Sequence, residues 1–411
     1  MWRPQSIEEF EQAVTTGALE EKHDFDAKRE LPSNGKELAK DIAAMSTDGG
    51  ALVYGVEEDG NEQPRIPTPL ELAGARERVD QVAQHSISPT PRIEFVLLRL
   101  PDDDGRGYLV VLIPASPQAP HQVTVGDDRR YYGRCETGNR RLSEIEIARL
   151  YERRERLNVD REKLLEQCIA SSPVGPAVPG KHGYLQAFAQ PALRDDQLWD
   201  HAVEREQGNE QLLLRHLGES VRSVRADWGG AHLGVAPNWR QRGADKWSLD
   251  TGLATDDPDA LPVRRRAIAD LSMDGRCYLF YGGAADANER SEGNPPPFLL
   301  YERGLSLNLA QFLALVGSFF EAGGLYGQID VGMAVTGIRG ATSAHLYNDH
   351  LGSTPYQDEG AFRTGRFDAR LLTEDPTAIR RYLLDRLLKA ISDGQEWDPL
   401  ASGPESQWRR V

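Results

Sequence analysis

Leu38-Ala39-Lys40-Asp41-Ile42-Ala43-Ala44-Met45-Ser46-Thr47-Asp48-Gly49-Gly50-Ala51-Leu52-Val53-Tyr54-Gly55-Val56-Glu57-Glu58 is the stretch that decides the fold of the first third of this chain. Leu38, Ala39, Ile42 and Met45 recur at helical spacing, which predicts a helix over about Lys36–Ser46 with Ser33 or Asn34 as its cap. Asp48-Gly49-Gly50 stops that helix, because glycine tolerates the left-handed conformation a helix end needs. The continuous apolar run Ala51–Val56 predicts a buried strand, and Glu57-Glu58-Asp59-Gly60 is its acidic exit.

Working outward, a helix is expected at about Ser6–Val14, followed by the acidic segment Leu19–Lys28, which Leu31-Pro32 breaks. A further helix is expected at Glu71–His85. Strands are expected at Ile93–Leu100 and Tyr108–Ile113, joined by the Asp102–Gly105 turn, and at Arg130–Arg134. Thr137–Arg141 reads as a loop. Ser143 and Glu146 form a capping box that opens a helix over Ser143–Leu157. Helices mixed with strands in this way predict one compact α+β unit over residues 1–157.

Residues 158–180 read as a helix end and linker, since Ser171–Gly180 holds three prolines and two glycines. Residues 181–411 read as a second α+β domain. It has helical material at Asp195–Arg225, an apolar helix at Leu309–Glu321, a helix at Pro376–Ser392, and short strands such as Arg276–Tyr281 and Gly332–Ile338. The stripe Leu309, Phe312, Leu313, Leu315, Val316 and Phe319 predicts core. Core packing is also the expectation for Trp199, Trp228, Trp239 and Trp247, with a recognition surface as the alternative.

Composition bounds the function. With 411 residues, two or three domains are expected at roughly 150 residues each. The chain carries 48 basic and 64 acidic residues, a net charge of −16. That excludes a general nucleic-acid coat, whose affinity comes from basic surface, and leaves room for a local basic groove. The run Met1–Gln12 has no apolar core of the signal-peptide kind, and no run approaches the ~18 apolar residues of a membrane span. The three cysteines, Cys135, Cys168 and Cys277, lie far apart and suit a reducing cytoplasm. Gly175–His182 nearly spells a phosphate loop. However, Pro176 and Pro179 remove cradle N–H donors, and His182 stands where a hydroxyl should hold Mg²⁺. The histidines show no metal-ligand spacing.

Three carboxylates carry the chemical interest. Glu21 and Asp26 flank Phe25 ahead of Lys28, and Glu58 sits where the strand leaves its sheet. Converging carboxylates repel one another unless a cation joins them, and hard oxygens suit Mg²⁺ or Mn²⁺. On spacing alone a solvated acidic face fits these residues as well. A basic stretch could supply a groove: Arg129, Arg130, Arg134, Arg140 and Arg141 interleave with Tyr131 and Tyr132, and strand alternation puts Arg130, Tyr132 and Arg134 on one face. A solvent-facing strand with aromatic packing beneath is the other reading.

Taken together, Glu21–Pro32, Leu38–Glu58, Arg130–Arg134 and Thr137–Ser143 resemble the Schlafen AlbA_2 domain over about residues 15–157. The most specific element is the helix, the glycine turn and the strand ending in Gly-Val and two acids. The resemblance implies an α+β fold, a mixed sheet with flanking helices. It also implies a metal-dependent endoribonuclease that cleaves structured RNA, with tRNA the expected substrate, and the fused arrangement of such a domain with a C-terminal region would fit prokaryotic antiviral defence or stress response. Position by position, it makes Glu21, Asp26 and Glu58 the metal ligands and catalytic carboxylates, and Lys28 the motif lysine, which would hold a phosphate oxygen or stabilise the cleaved product; a salt bridge to a neighbouring acid is the other reading of Lys28. Asp26 stands where the motif has Glu, Ala27 where it has Phe, and Glu58 where it has Asp. Those departures support the alternative, a non-catalytic nucleic-acid-binding regulator. The family's paired lobes imply a homodimer here, because one copy is evident, and the C-terminal region would then answer to a trigger.

Overall fold

A computed structural model describes residues 3–16, 25–57, 66–125, 129–135, 138–178, 180–194, 196–225, 231–235, 238–251, 266–287, 297–325, 327–348, 351–394 and 398–400. The chain is α+β and divides into two compact units, Met1–Asn158 and Val159–Val411.

The first unit runs α1 (Ile7–Thr15), β1 (Phe25–Lys28), α2 (Gly35–Met45), β2 (Gly50–Tyr54), β3 (Val56–Glu57), β4 (Ile66–Pro67), β5 (Leu70–Glu71), α3 (Ala75–Ser86), β6 (Ile87–Ser88), β7 (Glu94–Leu100), β8 (Asp103–Ile113), β9 (Gln122–Val123), β10 (Arg130–Cys135), β11 (Gly138–Arg141) and the start of α4 (Glu144–Ala170). Its main sheet has the order β1-β2-β8-β5, with β7 also on β8. β1 and β2 are parallel and the other pairs antiparallel, so the sheet is mixed. A second sheet has the order β11-β10-β9-β6.

Strand alternation divides the apolar residues between two faces. Leu52 and Tyr54 of β2 join Leu38 and Ile42 of α2 and Val79 of α3 in one core. Ala51 and Val53 face the other way and join Phe10 and Val14 of α1 with Phe25 and Ala27 of β1. Asn34 caps α2, its side chain accepting from the Lys36 N–H at 2.9 Å. Gly49 ends the helix turn at φ +85°, and a Cβ there would lie 2.8 Å from the Ala115 nitrogen. Gly55, at φ +101°, turns the chain out of β2 while its N–H donates to the Lys28 carbonyl at 2.9 Å.

Two expectations change. Gly138–Arg141 is not a loop but a strand, paired antiparallel with β10. The helix expected to end at Leu157 runs on to Ala170, because no glycine or proline interrupts it before Pro173. Its opening is the capping box: the Ser143 N–H donates to Glu146 Oε2 at 2.9 Å and the Glu146 N–H to Ser143 Oγ at 3.4 Å.

The second unit continues from the end of α4 with β12 (His182–Pro191), α5 (Leu198–Arg205), α6 (Glu210–Ser223), β13 (Asn238–Gln241), β14 (Lys246–Asp250), β15 (Ala267–Ser272), β16 (Cys277–Ala287), β17 (Phe298–Leu300), α7 (Glu302–Ala322), β18 (Gln328–Thr336), β19 (Thr342–Ser343), α8 (Ala344–Asn348), β20 (Gly360–Asp368), α9 (Leu371–Glu374) and α10 (Pro376–Ile391). Its sheet has the order β13-β14-β15-β16-β12-β18-β20, with β17 on β16 and β19 on β17. Leu185, Leu249, Leu279, Val331 and Met333 from one sheet face pack with Leu214, Phe312, Phe319 and Leu384 from the helices. By length and composition α7 could cross a membrane, but here it lies in this core, mostly buried. Trp199 and Trp247 are core residues too, and both indole N–H groups donate to Glu210 Oε1, at 3.2 and 3.1 Å. Trp239 is partly buried against the same core, and Trp228 lies outside the described residues.

Candidate functional site

β1 places its side chains by simple alternation. Phe25 and Ala27 go into the core with α1. Asp26 and Lys28 therefore point to the opposite face, the one shared by Leu52, Tyr54 and α2, in register with Leu52 and Tyr54 across the parallel pair. There they meet two residues of other elements. Lys28 Nζ is bonded to Asp41 Oδ2 of α2 and lies 3.5 Å from Asp26 Oδ2. Arg134 of β10 donates to Asp26 Oδ2 at 3.2 Å and to the Phe25 carbonyl at 3.3 Å. Asn139 of β11 donates to Asp41 Oδ1 at 2.6 Å, and its own Oδ1 lies 3.4 Å from Arg134. Two carboxylates, two cations and an amide thus form one network between the two sheets.

The electrostatics follow from the burial. Burial works against the Lys28 ammonium, but Asp41 and then Asp26 outweigh it, so the lysine's pKa is raised and it stays charged. Burial pushes the Asp41 carboxyl up ahead of the lowering by Lys28, and Asp26 adds to the rise. Tyr54, opposite Lys28, is fully buried, and its hydroxyl has no hydrogen-bond partner. Its pKa is raised well above the ordinary value by burial, then by Asp41 and Asp26.

Of the expected metal set, only Asp26 can be placed; Glu21 and Glu58 lie outside the described residues. Among the described residues no group of three or more His, Cys, Asp or Glu side chains is arranged to hold a metal. The donor chemistry fits a hard cation, since Asp26 and Asp41 offer carboxylate oxygens. Arg134 and Lys28 already engage Asp26 Oδ2, so a metal there competes with two cations.

The basic stretch separates into parts. Arg129, Arg130 and Arg141 are exposed. Arg140 is exposed but held bidentate by Glu146, at 2.9 and 2.5 Å, and Glu146 is kept well below the usual carboxylate range by Arg140 and then by Ser143. Arg134 does not line an open groove, because it is turned inward onto Asp26. Tyr132 is not a stacking platform either. It is 6% exposed and packs in the α2 core, with Lys40 Nζ 5.6 Å from its ring centre. Tyr131 is the ring nearer the surface, and its hydroxyl meets that of Tyr151 at 2.9 Å.

Sequence reasoning missed Asp41, Asn139 and Tyr54 as members of the site. Asp41 did leave a signal: an acid inside the apolar stripe Leu38, Ile42 and Met45, where a solvated charge does not belong.

The first unit is therefore an α+β domain whose mixed sheet presents an acid–base network on its first strand. Residues 21–143 match the family described as Schlafen, AlbA_2, so this unit carries a Schlafen AlbA_2 domain, and a nucleic-acid-related function goes with it. The C-terminal region matches no family. No curated protein and no solved structure matches the chain.

Proposed function

We propose that this protein is a metal-dependent endoribonuclease of Schlafen type that cuts structured RNA, tRNA in particular, as a cytoplasmic homodimer. The observation that supports it is the network of Asp26 and Lys28 on β1 with Asp41 and Asn139, inside the segment that matches the Schlafen AlbA_2 family. Glu21, Asp26 and Glu58 would hold Mg²⁺ or Mn²⁺, and the metal would supply an activated water and neutralise charge on the phosphate. Lys28, kept charged by Asp41 and Asp26, would hold a phosphate oxygen. The exposed Arg129, Arg130 and Arg141 supply backbone affinity. An antiviral or stress-response role, triggered through the C-terminal unit, extends this reading.

One observation favours a second reading. Arg134 sits on Asp26, where a metal would have to bind, which suits a nucleic-acid-binding regulator without catalysis. Incubation of the purified protein with bulk tRNA separates the two, with Mn²⁺ or Mg²⁺ against EDTA, beside Glu21→Ala and Glu58→Ala variants. Discrete fragments that need the metal and vanish in both variants are expected. Intact tRNA under every metal condition, with binding retained, replaces the nuclease with the regulator.

A further inference from the structure

A cavity of about 510 Å³ opens in the first unit, lined by Arg29, Arg78 and Arg106 and by Gly74 and Ala75 at the start of α3. That volume suits a ligand of nucleotide size. The bonds that Arg78 and Arg106 make set this cavity apart. Each donates to a backbone carbonyl, Arg78 to Pro32 and Arg106 to Pro69, the latter at 2.6 Å. Among the described residues neither has a carboxylate partner. Arg29 is paired with Glu57 at 3.1 Å. Glu30 and Glu71 also line it, both exposed, Glu71 in register opposite Arg106, and neither is in ion-pair contact with an arginine of the cavity. Two guanidinium groups therefore border a polar space without an ion-pair partner among the described residues, and each offers a fork of donors that matches phosphate oxygens. Gly74, at φ +69°, has open space where a side chain would be, and among the described residues no side chain caps α3.

Two connections tie the cavity to the Asp26 network. Lys28 belongs to the network, and the next residue, Arg29, lines the cavity. The buried, unpartnered hydroxyl of Tyr54 lies within electrostatic reach of Asp41 and Asp26 and also of Arg78.

We propose that this cavity is a phosphate subsite, which takes a backbone phosphate of the RNA strand on which the Asp26 network acts. The inference rests on the nucleic-acid reading above. The test uses the full chain with two probes: inorganic pyrophosphate by titration calorimetry, and tRNA binding over a salt series. Arg106→Glu alters an exposed side chain, Arg78→Lys keeps the charge of a partly buried one, and melting curves check that both variants are folded. Arg99→Ala is the control, since Arg99 is exposed outside the cavity and makes the same kind of bond, to the Asp104 carbonyl at 3.0 Å. The expected result is pyrophosphate binding that Arg106→Glu abolishes. The same change should weaken tRNA binding several-fold and lower the salt slope by about one phosphate contact, while Arg99→Ala changes neither. Full tRNA affinity with an unchanged slope in Arg106→Glu and Arg78→Lys overturns the subsite. Pyrophosphate binding that depends on Arg106, in a protein that holds no tRNA, sinks the RNA reading and leaves a site for a free phosphorylated ligand. A protein that binds neither probe overturns both.

Discussion

Asp41 carries more of the first unit's organisation than its place on a helix suggests. Its two oxygens bind Lys28 and Asn139, so it joins β1 to β11 through α2. Replacing it with alanine strips Asn139 of its acceptor and leaves Lys28 with Asp26 alone. We expect Asp41→Ala to cost about 2 kcal/mol in urea denaturation, below the roughly 3–5 kcal/mol of a fully buried broken pair because Lys28 is partly exposed. The double variant Asp41→Ala, Lys28→Met should cost less than the two single changes added together. Strict additivity would mean the pair is not coupled. This residue also marks the limit of what sequence shows about the site. Asp26 and Lys28 were legible from the acidic segment and its resemblance to the family motif, whereas the strand that alternates them with Phe25 and Ala27 was not read. Asp41 was not read, although its place inside the apolar stripe of Leu38, Ile42 and Met45 marks it as buried, because nothing in the helix alone names Lys28 and Asn139 as its partners. Asn139 was hidden because no local residue pattern announces the antiparallel pairing of Gly138–Arg141 with β10.

At the scale of elements, helices with apolar stripes were readable to within a few residues. Lys36–Ser46 is observed as Gly35–Met45, and Pro376–Ser392 as Pro376–Ile391. α7 was read too short, from Leu309, because its first turn holds a charge: Glu302, which is 2% exposed. That buried carboxylate gives the element a testable pH dependence. Burial raises the Glu302 pKa from 4.5 to about 7, against the lowering by the Ser343 hydroxyl and by backbone N–H groups. The folded state therefore holds a proton that the unfolded chain has released anywhere between those values. Stability from this group is complete below pH 4.5 and is lost as pH rises through about 7. The expected gain on moving from pH 8 to pH 6 is about 1 kcal/mol, read as a higher melting temperature. Glu302→Gln should flatten that difference, since glutamine keeps the shape without the titration. An unchanged pH dependence in the variant would place its source in other groups.

At the scale of the whole molecule, charge and composition said little about where function lies. The net charge of −16 belongs to the chain, whereas the exposed Arg129, Arg130 and Arg141 cluster in one unit. Long-range strand pairing hid most of the second unit's sheet. β12, buried along nearly its whole length between β16 and β18, shows no alternation to read. The two units have separate cores, the first around Ile42, Leu52 and Val79 and the second around Phe312, Val331 and Leu384, and α4 is the element that runs from one into the other. Separate cores predict separate unfolding. Scanning calorimetry should resolve two transitions. Ile42→Ala should lower one and Phe312→Ala the other, each by the roughly 2–5 kcal/mol that a large-to-small change in a packed core costs. A single transition that both substitutions shift together would mean that α4 couples the cores into one cooperative block. An event at the C-terminal unit could then reach the Asp26 network as a change in stability. Two independent transitions would require any trigger to act through a partner or a second copy of the chain.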